Sequence, residues 1–434
     1  MSAACRSRIA FSWVLLLVLA FPTCGDAYSV LTHEAIIDAA WSTHIRPLLE
    51  KRFPNATPDE LRRAHAYAYG GAIIQDMGYY PYGSKFFSNL THYVRSGDFI
   101  KALLKDSQDI NEYAFALGSM SHYAADNDGH RMAVNRVVPE LYPKLKKKYG
   151  DVVTFEDDPL AHVKTEFAFD VLEVAKERYA PEAYHDFIGF EVAQALLDRA
   201  FEDTYGLKLS SVLEHEAKAI GSYRHDVSKV IPKATKVAWQ VKQDDIQKDL
   251  PGMTRDRFLY NLSRASYEKH WGKDYRRPGP GEKVLAFIFR LIPKIGPLKI
   301  LTFRTPTAEN ERVFEASFNA TLGRYRRLLT ELGSGDVGLP NDNFDVGERT
   351  GPGQYRLSDD TYADLLQRLA EERFSGITPE LRADIERFYA DPDSPNATKR
   401  SSRRWSRVQR ELAQLKSAAP SSSRVSADKI TQPW

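Results

Sequence analysis

Apolar and polar positions along the chain repeat with the three-to-four-residue period of an amphipathic helix, and little of it alternates with the period of two that a half-buried strand needs. Thr57-Pro58-Asp59-Glu60 reads as a capping box with proline at the first helical position, opening a helix that runs toward Gly70-Gly71. Residues 72–91 are rich in Gly, Tyr and Asn and read as a loop. A helical pattern returns from Gly97 to Asp126, with Ala114, Leu117, Met120 and Ser121 on a face that can pack. Asp157-Asp158-Pro159 starts another helix through AHVKTEFAFDVLEVAKERY, and amphipathic helix continues to about residue 270. The expected fold class is all-α.

One stretch complicates the helical reading. In HYAADNDGH, His122, Asp126 and His130 stand at i, i+4 and i+8, so one helix face would carry all three. Asn127-Asp128-Gly129 is turn vocabulary, which predicts that the helix ends there and that the turn re-aims His130. A second pair, His162 and Glu166, repeats the i, i+4 spacing. Zinc takes imidazole nitrogen and carboxylate oxygen at about 2.0–2.2 Å, and two facing helical pairs can supply most of a site. Asp76 and the His92 of NLTH are within reach of such a site. Each pair alone is more often a surface or capping contact; two pairs together with His130, in a mature chain without cysteine, bring a metal site level with that reading on spacing alone.

Composition narrows the chemistry. A formal net charge of +2 with 27% charged residues gives no strong nucleic-acid signal, and 12% aromatic residues suit a folded chain. Arg6 and Arg8 precede the apolar run 11–21, and small residues at Gly25 and Ala27 follow, the three-part pattern of a signal peptide over 1–27. That run is shorter than the ~20 residues of a spanning helix. Lipidation at Cys24 is the weaker reading. Both cysteines, Cys5 and Cys24, fall in the segment to be removed, so a metal in the mature chain must be held by His, Asp and Glu. The expected organisation is a catalytic domain over 28–275, a helical extension over 276–390 beginning at Arg276-Arg277-Pro278-Gly279, and a basic, disordered tail over 391–434. Residues 284–303 are apolar but broken by Pro293 and Pro297, which fits a buried hairpin or a segment at a lipid interface.

YSVLTHEAII, Asp76, NLTH, SHYAADNDGH and AHVKTE, in this order, resemble the zinc-dependent phospholipase C family over roughly residues 28–220. That family includes the alpha-toxin-type bacterial phospholipases C and the catalytic domain of GPI-specific phospholipase D, with the zinc-dependent single-strand nucleases as relatives. The resemblance implies a multi-helix phospholipase C/nuclease-like domain with a trinuclear zinc site. Carried over, the ligands are the amine and carbonyl of a new N-terminal Tyr28, then His33, Asp76, His92, His122, Asp126, His130, His162 and Glu166. In that set Asp76, His92, His122 and Asp126 serve one zinc, with Asp126 bridging two metals, and His130, His162 and Glu166 hold another. The family usually has Trp where this chain offers Tyr28. Its bacterial phospholipases and nucleases place the last histidine at i+10, whereas i+8 resembles the GPI-specific phospholipase D branch. Glu166 in place of Asp favours the phospholipase side.

The resemblance implies an exported hydrolase of phospholipid head-group phosphodiesters, acting at a phospholipid or membrane surface with up to three Zn2+. Zinc would neutralise the phosphodiester and lower the pKa of bound water from 15.7 to about 7, with Asp76 doubling as general base. The alternatives are a single-strand nuclease on the same metal frame, with Tyr79, Tyr80 and Tyr82 as stacking positions, and an inactive exported metal-binding protein. His44, His65, His185, His215, His225 and His270 read as structural or surface residues.

Overall fold

The computed structural model describes residues 29–175, 190–227, 302–335 and 337–418. The leader 1–27, Tyr28, the boundary at 276–281 and nearly all of the apolar stretch 284–303 lie outside the described residues, as do His185 and His270. The described residues are all-α: they contain no strand, only an isolated bridge between Asn343 and Glu348.

In chain order the helices are α1 (Val30–Ala40), α2 (Arg46–Arg52), α3 (Pro58–Gly71), α4 (Lys85–Tyr93), α5 (Ser96–Asp106), α6 (Ile110–Gly129), α7 (Asn135–Leu141), α8 (Pro143–Tyr149) and α9 (Pro159–Ala175). After them come α10 (Gln194–Tyr205), α11 (Leu209–Val212), α12 (Glu216–His225), α13 (Ala308–Ser334), α14 (Arg356–Glu371), α15 (Pro379–Phe388) and α16 (Ser402–Ser417). The capping box at Thr57 forms as the sequence predicts, with Thr57 and Glu60 satisfying each other's backbone amides and Pro58 first in α3.

Helix α6 is the spine. Ala114, Leu117, Met120 and Ser121 are all buried in it. It crosses α3 so closely that a Cβ on Gly71 would lie 1.9 Å from the Phe115 carbonyl oxygen, and one on Gly118 would lie 2.1 Å from that of Ala68. Only glycine permits this backbone approach. On its other side α13 supports α6: the Tyr325 hydroxyl donates to Leu117 O at 2.9 Å, and Arg324 reaches Asp128 Oδ1 at 3.2 Å.

Two local expectations give way to packing. Residues 72–91, read as a loop, instead hold a 3-10 turn over Ile74–Tyr79 and most of α4. Ser88 ties the two together by donating to Gln75 O and accepting from Gly78 N, while Phe87 and Leu90 go into the core. Asn127-Asp128-Gly129 does not end α6. Asn127 turns back to donate to Tyr123 O within its own helix, Asp128 is held by Arg324, and Gly129 has φ −60°. The interruption falls one residue later, as a wide π-helical turn over His130–Val134 that passes directly into α7.

The C-terminal residues do not form a core of their own. One apolar cluster runs from Val30 in α1 to Leu415 in α16, and α16 also anchors Arg404 on Asp360 and Asp364 of α14. Within the tail expected over 391–434, the basic stretch is helical, and it is docked rather than solvated as far as Ser417, with Val408 and Leu415 fully buried. Among the described residues no helix is long and apolar enough to cross a membrane.

Candidate metal centre

Four segments converge between α1, α4, α6 and α9. Helix α1 brings His33, and its placement depends on α9. Ser29 at the N-cap makes no side-chain cap; Asp170 of α9 takes over, accepting from Leu31 N at 2.9 Å and from Thr32 N and Oγ1 at 3.2 and 2.7 Å. Burial pushes the Asp170 carboxyl up to about 6, although these bonds from Thr32 and Leu31 pull it down. Asp170 also extends a face of α9 on which His162, Glu166 and Asp170 stand at i, i+4 and i+8, the same spacing as His122, Asp126 and His130 on α6.

Eight of the nine residues singled out from the sequence lie together; Tyr28 is outside the described residues. They form three buried groups that could hold a metal ion: His33, His122 and Asp126; Asp76, His92 and His122; His130, His162 and Glu166. Asp126 faces two ways. Its Oδ1 is 3.5 Å from His33 Nε2, and its Oδ2 is 3.1 Å from His122 Nε2 and 3.3 Å from His92 Nε2. Asp76 Oδ1 is 3.2 Å from His92 Nε2, and Asp76 Oδ2 is 3.7 Å from His122 Nε2. In the third group Glu166 Oε1 lies 3.3 Å from His162 Nδ1 and 3.7 Å from His130 Nε2.

Backbone carbonyls fix the tautomers. A carbonyl can only accept, so a ring nitrogen bonded to one carries the proton and the other nitrogen keeps its lone pair. His92 Nδ1 donates to Ser88 O at 2.7 Å, His122 Nδ1 to Ala72 O at 2.9 Å, and His162 Nε2 to Val153 O at 2.9 Å. His130 Nδ1 donates to Phe344 O at 3.2 Å. In each ring the remaining lone pair points at carboxylate oxygens, and the Nε2 atoms of His92 and His122 face each other at 3.4 Å. Lone pairs turned toward anions repel unless a cation sits between them. Around an ion with ligand bonds of about 2.0–2.2 Å, tetrahedral donors lie about 3.3–3.6 Å apart. The observed separations fit that geometry, so the residues suit a metal such as zinc.

Burial alone would raise the Asp126 carboxyl, but with charged, hydrogen-bonding imidazoles of His122, His92 and His33 standing where a cation would, the group is held well below the usual carboxylate range. Both Asp126 oxygens and His130 Nε2 are buried without a hydrogen bond of good geometry. Such orphaned atoms in a folded interior call for an ion or another donor.

Residues 32–213 match the family model described as zinc dependent phospholipase C. This segment is similar to zinc-dependent phospholipase C domains. Neither curated proteins nor solved structures gave a match to the chain.

The phospholipase C segment does not supply the whole surround. Phe344, 214 residues beyond His130, accepts its Nδ1 proton, donates its own N–H to His92 O at 3.2 Å, and sets its ring 5.3 Å from His92. Asp345 follows it, with Oδ1 3.0 Å from His130 Nδ1. The loop gets this close because Gly347, at φ +72°, passes where a Cβ would be 2.4 Å from Asn127 O. Sequence reasoning missed both residues: they sit in a Gly/Pro/Asp loop whose composition signals only a turn. Aromatic rings border the groups elsewhere. Tyr79 lies 6.4 Å from His92 and 6.1 Å from Phe155, which lies 6.0 Å from His162. Tyr80 is instead buried against Tyr223, and Tyr82 is 60% exposed.

The other described histidines stay outside. His65 is buried, stacked on Trp41 and bonded to Asp38 at 3.1 Å; His215 and His225 are exposed and His44 is partly buried.

Proposed function

We propose that this protein is an exported, zinc-dependent phosphodiesterase that cleaves phospholipid head groups in the manner of a phospholipase C. The observation that carries the reading is the set of three buried histidine–carboxylate groups, two of them joined by His122 and Asp126, inside the segment that matches that family.

The holding residues are His33, Asp76, His92, His122, Asp126, His130, His162 and Glu166, with the amine and carbonyl of Tyr28 added once residues 1–27 are removed. Bound zinc supplies positive charge, beyond what Asp76, Asp126 and Glu166 neutralise, to bind an anionic phosphodiester and stabilise the charge that builds on its oxygens. The protein's own part is orientation and proton transfer. Tyr79, Phe155 and Phe344 give the centre an apolar border that excludes water and suits the glyceride side of a phospholipid. Water adds to phosphorus in line with the glycerol oxygen, the bond between phosphorus and that oxygen breaks, Asp76 accepts the proton released from the water, and the departing glycerol oxygen takes up a proton from solvent. The products are diacylglycerol and a phosphorylated head group.

A nuclease on the same frame is the second reading, favoured by one observation, the Tyr79 and Phe155 rings beside His92 and His162, where bases could stack. Incubating the zinc-loaded mature protein with phosphatidylcholine vesicles and with single-stranded DNA separates the two. Release of phosphocholine and diacylglycerol supports the proposal; cleavage of DNA alone replaces it with the nuclease. N-terminal sequencing of the secreted product tests export and Tyr28 together.

A further inference from the structure

The histidines of the centre are not all held alike. Ser88, Ala72 and Val153 offer His92, His122 and His162 neutral carbonyls. His130 alone of these four also has a carboxylate at its back, Asp345 Oδ1 at 3.0 Å from Nδ1, beside its bond to Phe344 O. Asp345 is fully buried. Its Oδ2 accepts from Phe155 N at 3.0 Å and from the Tyr355 hydroxyl. Its backbone is clamped as well: Asn343 Oδ1 accepts from Asp345 N at 3.0 Å, and Asn135 Nδ2 donates to Asp345 O at 2.7 Å. The carboxylate therefore has one oxygen committed to the loop before α9 and the other turned to His130.

We propose that Asp345 is a positioning residue of the metal centre, delivered by a segment outside the stretch that matches the family. It holds His130 with the proton on Nδ1 and Nε2 turned toward the ion shared with His162 and Glu166. A carboxylate beside an imidazole favours positive charge on the ring and so makes the opposite nitrogen a better donor to a metal. Through Phe155 the same carboxylate also fixes the loop whose Val153 carbonyl orients His162. One side chain thus sets both imidazoles of the third position.

The inference rests on the metal-centre reading, and the test keeps the two apart. Zinc bound to the full chain is counted by mass spectrometry during titration with a chelator. A wild-type protein that holds no zinc removes the centre itself. Given a loaded wild type, Asp345→Asn keeps the side-chain size and removes the charge. The expected result is one class of zinc weakened about 10- to 100-fold with the rest unchanged. Thr350→Val, which cuts a 3.3 Å bond from Asn343 and a 3.2 Å bond with Ser358 but leaves Asp345 untouched, should leave every class in place. Wild-type affinities throughout the Asp345→Asn protein, or equal weakening of all classes, overturn the proposal. If that variant does not fold, histidine nitrogen-15 spectra of zinc-loaded wild type decide. His130 should be protonated on Nδ1, with that proton further downfield than those of His92 and His122; protonation on Nε2 overturns it.

Discussion

His122 reaches the carbonyl of Ala72 at 2.9 Å because Gly118, one turn earlier on α6, lets that helix lie against α3. A ligand's orientation is thus set by a residue that never meets the metal. Gly118→Ala places a carbon 2.1 Å from Ala68 O, and the helices must part. Overpacking of this kind costs about 1–3 kcal/mol. Urea unfolding should show that loss, and zinc should be removed at lower chelator concentration than from wild type. An unchanged chelator profile would uncouple the helix crossing from the centre.

His122 belongs to two of the three groups, and Asp126 faces the histidines of both. His122→Ala should abolish activity and lose zinc. Asp126→Asn, nearly isosteric, should lose the ions on both its sides while the group of His130, His162 and Glu166 keeps its own. Metal counting on the two purified variants checks this; an active, zinc-replete His122→Ala protein would sink the assignment.

Asp170 makes the stability of the metal-free protein depend on pH. Its folded pKa of about 6 stands above the roughly 3.9 of an unfolded aspartate, so the folded state binds the proton more tightly. The contribution is fully present below about pH 4 and is lost as pH rises through about 6, on the order of 3 kcal/mol in all. Glu34, raised by burial and by Asp38 and Asp170, acts in the same direction. Urea midpoints should fall across this window and fall less in Asp170→Asn. An identical slope in the variant would assign the dependence to other groups.

Stripping the metal should soften the whole fold. Lone pairs and carboxylates of four segments would face each other without a cation, and the ion binds only the folded form. Free zinc at about 1,000 times its Kd adds about 4 kcal/mol per site, so Tm should fall markedly in chelator and recover on zinc addition. A Tm indifferent to chelator would show that the groups hold no ion.

Much of this was legible in the sequence because helices write their faces with a fixed period. His122 with Asp126 and His162 with Glu166 could be paired from spacing alone, and Thr57 with Glu60 marked a helix start that forms as read. The errors share a cause, since tertiary contacts overrode local preference. Asn127 and Asp128, turn formers in isolation, found partners in Tyr123 O and Arg324. Ser88 gave residues 72–91 an order that their glycines and tyrosines do not suggest. Phe344 and Asp345 were out of reach altogether, because no periodicity links a loop to a ring 214 residues earlier.

That distance has a consequence for synthesis. The chain is made from its N-terminus, so His130 leaves the ribosome long before Phe344 and Asp345 exist to close over it. Until then the half-built basin of imidazoles stands open on one side, unable to shield its charges from water or from passing ions. Completion waits for nearly the last fifth of the chain, so a product that stops short of Phe344 lacks the loop that covers His130.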